Sequence, residues 1–261
     1  MNQRVVWITG ASSGIGEACA KKYLEEGWQV ILSARNQKEL ERVKKESKHP
    51  QKAEILALDL TDGSALAEKV KEAIGIFGQV DVLIHSGGIS QRSLVKDTAM
   101  EVDRRLFEVN FFGTIALTKA ILPHFIQRKS GAFVVISSLV GKFGTPYRSA
   151  YAASKHALHG FFDSLRAEHS EDQIQVTIIC PGFIKTKVSI NALTADGTPL
   201  MEMDDVQANG MSPEDCAKAI FKAVKSGKNE VNIGGKETFG VLVKRFFPGI
   251  FTKLIRKAKV R

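Results

Sequence analysis

The sequence predicts an α/β fold: a single Rossmann-type domain, doubly wound, with a seven-stranded, mainly parallel sheet and helices on both faces. Three observations carry this. Short β-branched apolar runs alternate with longer helical patterns, the order that gives parallel strands joined by right-handed crossovers. The strands are apolar almost throughout instead of alternating, as expected where helices cover both faces of a sheet. The 261 residues, 44% apolar and 25% charged, match an ordinary globular chain long enough to bury a full core.

In chain order, Val5–Thr9 reads as the first strand, 30–34 as the second, 55–58 as the third and Val82–His85 as the fourth. The fifth spans 132–138, the sixth 176–180 and the seventh Glu230–Ile233. Helical periodicity covers 14–26, 37–47, 63–77, 100–128, 150–168 and 213–226. Segment 183–211 is weakly periodic and too long for an ordinary connection, so it reads as a substrate lid. There is no internal repeat or low-complexity block, and the whole of 1–261 is expected to form one domain ending in a basic tail, 239–261.

Composition narrows the function. Cys19, Cys180 and Cys216 are scattered and show no metal-ligand spacing, which points to a reducing, cytoplasmic compartment and no structural metal. The early apolar run ending before Gly10 is too short for a signal segment, and no uninterrupted apolar stretch reaches membrane-spanning length. Of the net charge of +9, seven basic residues lie between Phe239 and Arg261, where no acidic residue occurs. Without them the chain carries 30 basic and 28 acidic side chains, a nearly neutral body that excludes a general nucleic-acid-binding surface and leaves only the tail.

Between the first strand and first helix lies Thr9-Gly10-Ala11-Ser12-Ser13-Gly14-Ile15-Gly16. Glycines there let the backbone approach a pyrophosphate, and the helix N-terminus offers free N–H groups to the anion; the alternative is a mere tight turn. The second strand ends Ala34-Arg35-Asn36. An acid at that place would hold a ribose 2′-hydroxyl, whereas Arg35 can pair with a 2′-phosphate, so the loop points to NADP(H); the alternative is a solvated arginine starting the next helix. Tyr151 and Lys155 stand one helical turn apart on one face, where a cation can ease ionisation of a phenol that passes a proton to or from a substrate oxygen. The alternative is a packed aromatic beside a surface lysine. Ser137 and Ser138 end the fifth strand, where a hydroxyl could hydrogen-bond the same oxygen or cap a turn.

Taken in order, Gly10–Gly16, Asp59, Asn110, Ser138, Tyr151-x-x-x-Lys155 and Pro181-Gly182-x-x-x-Thr186 resemble the short-chain dehydrogenase/reductase family along nearly the whole chain. Segments 88–94 and 154–158 resemble its branch of dehydrogenase/reductase members seven and seven-B, which is linked to lipid-like carbonyl substrates. The resemblance implies hydride transfer between NADP(H) and a small carbonyl or alcohol. Ser138, standing at the family's spacing before Tyr151, would orient the carbonyl, and Tyr151 would be the general acid/base. Lys155 would hold the nicotinamide ribose and lower the tyrosine pKa, and Asn110 would hold a relay water. Asp59 and Leu60 would meet the adenine, Ile184 and Thr186 the carboxamide, and Gly87, Gly88, Pro181 and Gly182 the dinucleotide backbone. The family's usual Asn-Asn-Ala-Gly is here His85-Ser86-Gly87-Gly88; His85 reads as a strand-end histidine, and the asparagine contacts are in doubt.

An epimerase or dehydratase on the same scaffold would need a longer C-terminal region, and a non-catalytic NADP scaffold would not need all four catalytic positions filled. Apolar residues of the lid, Phe183, Ile184, Val188, Ile190, Leu193, Leu200, Met201 and Met203, favour an apolar substrate or simply pack the lid onto the core. The resemblance also implies a homodimer or homotetramer paired through helices 100–128 and 150–168. In the tail, Ile250, Phe251, Leu254 and Ile255 are expected on one face and Lys253, Arg256 and Lys257 opposite, over 250–260. That pattern suits peripheral contact with an anionic membrane, or closure of a pocket or subunit interface.

Overall fold

The computed structural model describes residues 3–256 and Ala258. Seven strands form one sheet in the order β3-β2-β1-β4-β5-β6-β7: β1 Val5–Thr9, β2 Gln29–Ser33, β3 Ala53–Ile55, β4 Val82–His85, β5 Gly131–Ile136, β6 Ile174–Pro181 and β7 Glu230–Ile233. Every pairing is parallel, so the sheet goes beyond the mainly parallel expectation. The order reverses between β1 and β4, and this switch point opens a crevice at the carboxyl ends of the strands.

Helices cover both faces: α1 Gly14–Glu25, α2 Gln37–Glu46, α3 Leu66–Phe77, α4 Met100–Phe107, α5 Gly113–Arg128, α6 Ser149–Glu168, the short α7 Asp205–Ala208 and α8 Pro213–Lys225. On one face Trp7, Phe125, Phe133 and Phe162 are fully buried under α3, α5 and α6. On the other, Ile8, Tyr23 and Leu32 are buried with residues of α1 and α8, including Cys19 and Cys216. Strand residues alternate between the two cores, which is why the strands read as continuous apolar runs.

Two expectations are corrected. The third strand sits at Ala53–Ile55, earlier than 55–58. Leu56 and Leu58 still hydrogen-bond to the carbonyls of Leu32 and Ala34, at 3.0 and 3.2 Å, and are buried, so they keep an apolar strand-like signature beyond the regular ladder. The expected helix over 100–128 is interrupted by a π turn, Glu108–Phe112, between α4 and α5. At that turn the Asn110 side chain clasps the backbone of Ile89, donating to its carbonyl at 2.9 Å and accepting from its N–H at 2.8 Å. By length and composition Met100–Arg128 could cross a membrane, although charged residues interrupt it. Leu106, Leu117, Ile121 and Phe125 are buried in the body, so it serves as a core helix.

The tail forms α9 Phe239–Phe246 and α10 Pro248–Ile255. Proline suits the first turn of α10, where its missing N–H is no loss. The face expected from Ile250, Phe251, Leu254 and Ile255 is split. Phe251 is buried against Phe143, ring centroids 4.9 Å apart, and Ile255 is half-buried against the core beside it, while Ile250 and Leu254 face outward. Lys257 and Val260 of the expected helix lie outside the described residues.

Candidate active site

A cavity of about 1040 Å³ lies at the carboxyl ends of the strands and is walled by the tail. Its two halves are built differently.

The first half is a backbone cradle. Gly10 and Gly14 have φ of +67° and +57°, which glycine adopts without strain. A Cβ on Gly10 would lie 2.7 Å from the Gly87 nitrogen and Ser86 oxygen, and one on Gly16 would lie 2.2 Å from the Gly10 oxygen. The spacing Gly10–Gly14–Gly16 is therefore a steric requirement of the β1–α1 turn. Ser13 is the N-cap of α1, in extended conformation, and its side chain makes no capping hydrogen bond. The first-turn N–H groups of α1 are thus available to an anion at the positive end of the helix dipole. Ser12 and Ile15 line the same cradle, and Thr186 stands across it, its Cγ2 3.0 Å from where a Gly14 Cβ would be.

Arg35 and Asn36 lie exposed at the edge of this half, beside Asp59. Asn36 has a structural duty the sequence did not suggest: its Oδ1 accepts the Glu39 N–H and caps α2. Burial alone would raise Asp59, but hydrogen bonds from the Thr61 N–H and hydroxyl, together with the Arg35 charge, hold it below its ordinary value. Leu60 closes on Gly87, whose Cβ would fall 2.8 Å from Leu60 Cδ1. Gly88 separates Asn110 Oδ1 from Lys155 Nζ; a Cβ there would lie 3.1 and 3.6 Å from them. Pro181, Gly182 and Ile184 leave the end of β6 along the same wall.

Ser138, Tyr151 and Lys155 come together at the centre of the cavity. Ser138 Oγ accepts the Val140 N–H at 3.3 Å, donates to the Pro181 carbonyl at 3.4 Å, and favours the ionised form of the Tyr151 phenol. Ser137 turns away, to His159 Nε2 at 2.9 Å and the Lys155 carbonyl at 3.3 Å, so Ser138 is the serine that faces the site. Lys155 is buried and donates to the Ile136 carbonyl at 2.8 Å, and burial lowers its pKa to about 8. Burial raises the Tyr151 phenol above its usual value, and the charges that pull it back belong to Arg148 and Arg92. Lys155 Nζ lies over the Tyr151 ring, 5.8 Å from its centroid. Asn110 stays just behind these groups, bonded to Ile89 and, at 3.1 Å, to Ser154 Oγ.

The second half contains residues the sequence did not single out. Asp204 is buried between two buried arginines. Arg92 binds its Oδ2 through both Nε, at 2.9 Å, and Nη2, and Arg148 Nη2 approaches the same oxygen at 3.4 Å. Burial and the neighbouring Arg92 lower Arg148 to about 10, despite Asp204. Gln91, fully buried, accepts the N–H groups of Ala150 and Tyr151 at the start of α6, so it positions the helix that carries the tyrosine. An extended Gln-Arg pair after Gly88 was the available signal, but nothing in it named Asp204, 112 residues away.

His85 is buried under Phe133 and hydrogen-bonds Thr118 at 2.9 Å; burial lowers it to about 3, so it is a neutral core side chain, outside the cavity wall. His159, Cys180 and Glu230 lie close enough to share a metal ion. The imidazole presents Nε2 to Cys180 and Nδ1 to Glu230, however, and Lys142 already pairs with Glu230, which makes the group a hydrogen-bonded charge network.

Comparison with known proteins agrees with this geometry. Residues 4–196 match the family model described as short chain dehydrogenase. A mosquito protein (Anopheles gambiae), dehydrogenase/reductase SDR family protein 7-like, is 48% identical over 239 residues, covering 88% of this chain and 75% of the relative. Mouse (Mus musculus) dehydrogenase/reductase SDR family member 7B is 41% identical over 261 residues, covering 98% of this chain and 81% of the relative. Among solved structures, a short-chain dehydrogenase from Streptomyces avermitilis aligns with a TM-score of 0.82 at 29% identity, over 97% of this chain and 96% of that one. ElxO with NADP bound aligns at 0.75 and 26%, over 88% and 97%. Sequence order, sheet topology and relatives agree: the chain belongs to the short-chain dehydrogenase/reductase family of oxidoreductases.

Proposed function

We propose that the protein transfers a hydride between NADP(H) and a carbonyl or alcohol, with Tyr151 as the general acid/base. The carrying observation is that Ser138, Tyr151 and buried Lys155 line one cavity together with the glycine cradle. A dinucleotide suits the cradle because three glycines leave room that a Cβ would fill, and because the N-terminus of α1 is uncapped. Gly10, Ser12, Ser13, Gly14, Ile15 and Gly16 would hold its pyrophosphate. Arg35 would meet a 2′-phosphate, with no acid at that strand end to compete. Asp59, Leu60, Gly87, Gly88, Pro181, Gly182, Ile184 and Thr186 would line the rest of its path. Bound there, the dinucleotide supplies or accepts the hydride.

The chain's own residues handle the proton and the alignment. The Ser138 hydroxyl donates to the substrate oxygen and fixes its direction, and Tyr151 gives that oxygen its proton in reduction or takes it in oxidation. Arg148 and Arg92 favour the phenolate, which offsets the cost of burying it. Lys155 holds the ribose side of the site, and Asn110 ties the π turn to Ile89 behind it. Segment 183–211 acts as the lid. Of its apolar residues Phe183, Ile184, Val188 and Leu193 line the cavity, whereas Met201 and Met203 are exposed and play no part in it. With Phe143 and Phe251 these side chains favour an apolar substrate around the polar reacting group.

The test is loss of cofactor absorbance when the protein is mixed with NADPH and a panel of carbonyls. Tyr151→Phe should lower turnover by at least about a hundredfold while NADPH still binds. A variant that keeps its rate places the acid elsewhere. We also propose that α5 and α6 meet a second copy of the chain, supported by the exposed Phe112 and the groove of Phe111, Leu122 and Phe161; sedimentation as a monomer at micromolar concentration would refute it.

A further inference from the structure

The outer surface of the tail has no use in the reaction just described. Phe239, Leu242, Phe246, Phe247, Ile250 and Leu254 are each between 52% and 65% exposed. Phe239, Leu242 and Phe246 follow one another at helical spacing on α9, and Ile250 and Leu254 do so on α10, with Phe247 at the joint. A surface of six aromatic or aliphatic side chains is costly to leave in water, so something covers it.

Charge selects what covers it. From Phe239 to the end there are seven basic residues and no acidic one, and Lys244, Arg245, Lys253 and Arg256 are exposed on the same two helices. The acidic residue just before them, Glu237, is turned inward to accept the N–H groups of Phe183 and Gly235. A second copy docked face to face would bring like charges together. A nucleic acid would leave the six apolar side chains without a partner. Bulky apolar groups flanked by cations suit the interface of a bilayer with anionic headgroups, where the former enter the acyl boundary and the latter meet phosphate.

We infer that α9–α10 docks the protein onto an anionic lipid bilayer. The inner sides of the same helices carry Gly240, Phe251 and Ile255, which line the cavity. The docked element is therefore also a wall of the site, and an apolar substrate can pass from the lipid to the cavity with little exposure to water. That delivery route rests on the oxidoreductase reading; the docking does not.

Co-sedimentation of the full chain with vesicles tests the docking. Equimolar phosphatidylcholine and phosphatidylglycerol should bind the protein, phosphatidylcholine alone should bind it far less, and added salt should release it. Each cation near such a surface tightens binding about fivefold, so Arg245→Glu with Lys253→Glu should weaken it by at least about twentyfold. Phe246→Ser with Leu254→Ser should weaken it by at least about tenfold. None of these four residues lines the cavity, so both variants should keep the wild-type melting temperature and the wild-type turnover of a water-soluble carbonyl without vesicles. Binding that ignores headgroup charge, or that survives either pair of substitutions, overturns the proposal. So does a serine pair that only converts a dimer to monomer, since the surface then belongs to a second copy. With a carbonyl dissolved in the vesicles, the variants should lose rate while the water-soluble carbonyl is unaffected. Absence of turnover with both carbonyls in the wild type would count against the reductase reading, and the sedimentation result would still decide the docking.

Discussion

The cradle half and the substrate half of the cleft differ in what holds them. Around Gly10, Gly14 and Gly16 the shape is set by backbone angles and by contacts as close as 2.2 Å to an added Cβ, all within one β-turn-α unit. Around Asp204 it is set by charged side chains from three separate segments, joined across 112 and 56 residues of chain. A local steric site can change only through its glycines. A site made of distant ion pairs depends on each partner being present, and it couples the lid to the residues that tune Tyr151.

The largest effect should come from breaking the second half. Asp204→Asn leaves two buried guanidiniums with reduced compensation, and removal of one member of such a buried network typically destabilises by about 3–5 kcal/mol, readable by denaturant unfolding. The arginines would then act on Tyr151 with less opposition, so the ionisation limb of the rate profile should move to lower pH. An unmoved limb would mean that the network is only structural. In the cradle, Gly16→Ala should cost about 1–3 kcal/mol by overpacking and abolish cofactor binding, whereas Gly75→Ala, in open space within α3, should stabilise by about 0.5–1 kcal/mol. If the two alanines behave alike, sterics do not define the cradle. Arg35→Ala should reduce the preference of kcat/KM for NADPH over NADH by roughly ten- to a hundredfold, the scale of one charge-assisted contact, and leave stability unchanged.

The smallest effect lies outside both halves. His159, with its Nδ1 3.4 Å from the carboxylate, and the bonded Lys142 ammonium hold Glu230 at about 2, against an ordinary 4.5, with burial opposing them. A depressed carboxylate contributes its stability fully above the ordinary value and loses it as pH falls toward the folded one. Glu230→Gln should therefore flatten the acid arm of the stability profile, as followed by thermal unfolding, and spare activity at neutral pH.

The same contrast explains what could be read in advance. β1, β4 and β7 lie where their apolar runs end, and the glycine cradle and Tyr151–Lys155 pair are recognisable because all their members sit within a few residues of one another. The third strand was misplaced because burial of Leu56 and Leu58 gives the same apolar signal as a ladder position. Lys155, one turn from Tyr151, is visible in the sequence as a cation near the phenol, whereas Arg92 and Arg148, which also favour its ionised form, are brought there only by the fold. Asp204 carried no signal at all: an aspartate in a weakly periodic segment looks solvated until tertiary contacts bury it to 2% exposure. Likewise the tail's periodicity points to a helix over 250–260 but not to which side of it faces the core, since Ile250 and Phe251 are equally apolar and only Phe143 distinguishes them.

The π turn at Glu108–Phe112 gives the chain length itself a structural meaning. Such a turn accommodates one residue more than the regular helical repeat. Deleting Phe112 would let α4 and α5 merge into a continuous helix with Leu106 and Leu117, Ile121 and Phe125 still facing the core, because the bulge already absorbs the extra residue. The cost would fall on the bulge itself: its backbone would tighten to the regular repeat and draw Asn110 away from Ile89. A one-residue deletion, with every named site residue intact, should thus disconnect the helix layer from the loop that bears Gln91 and Arg92.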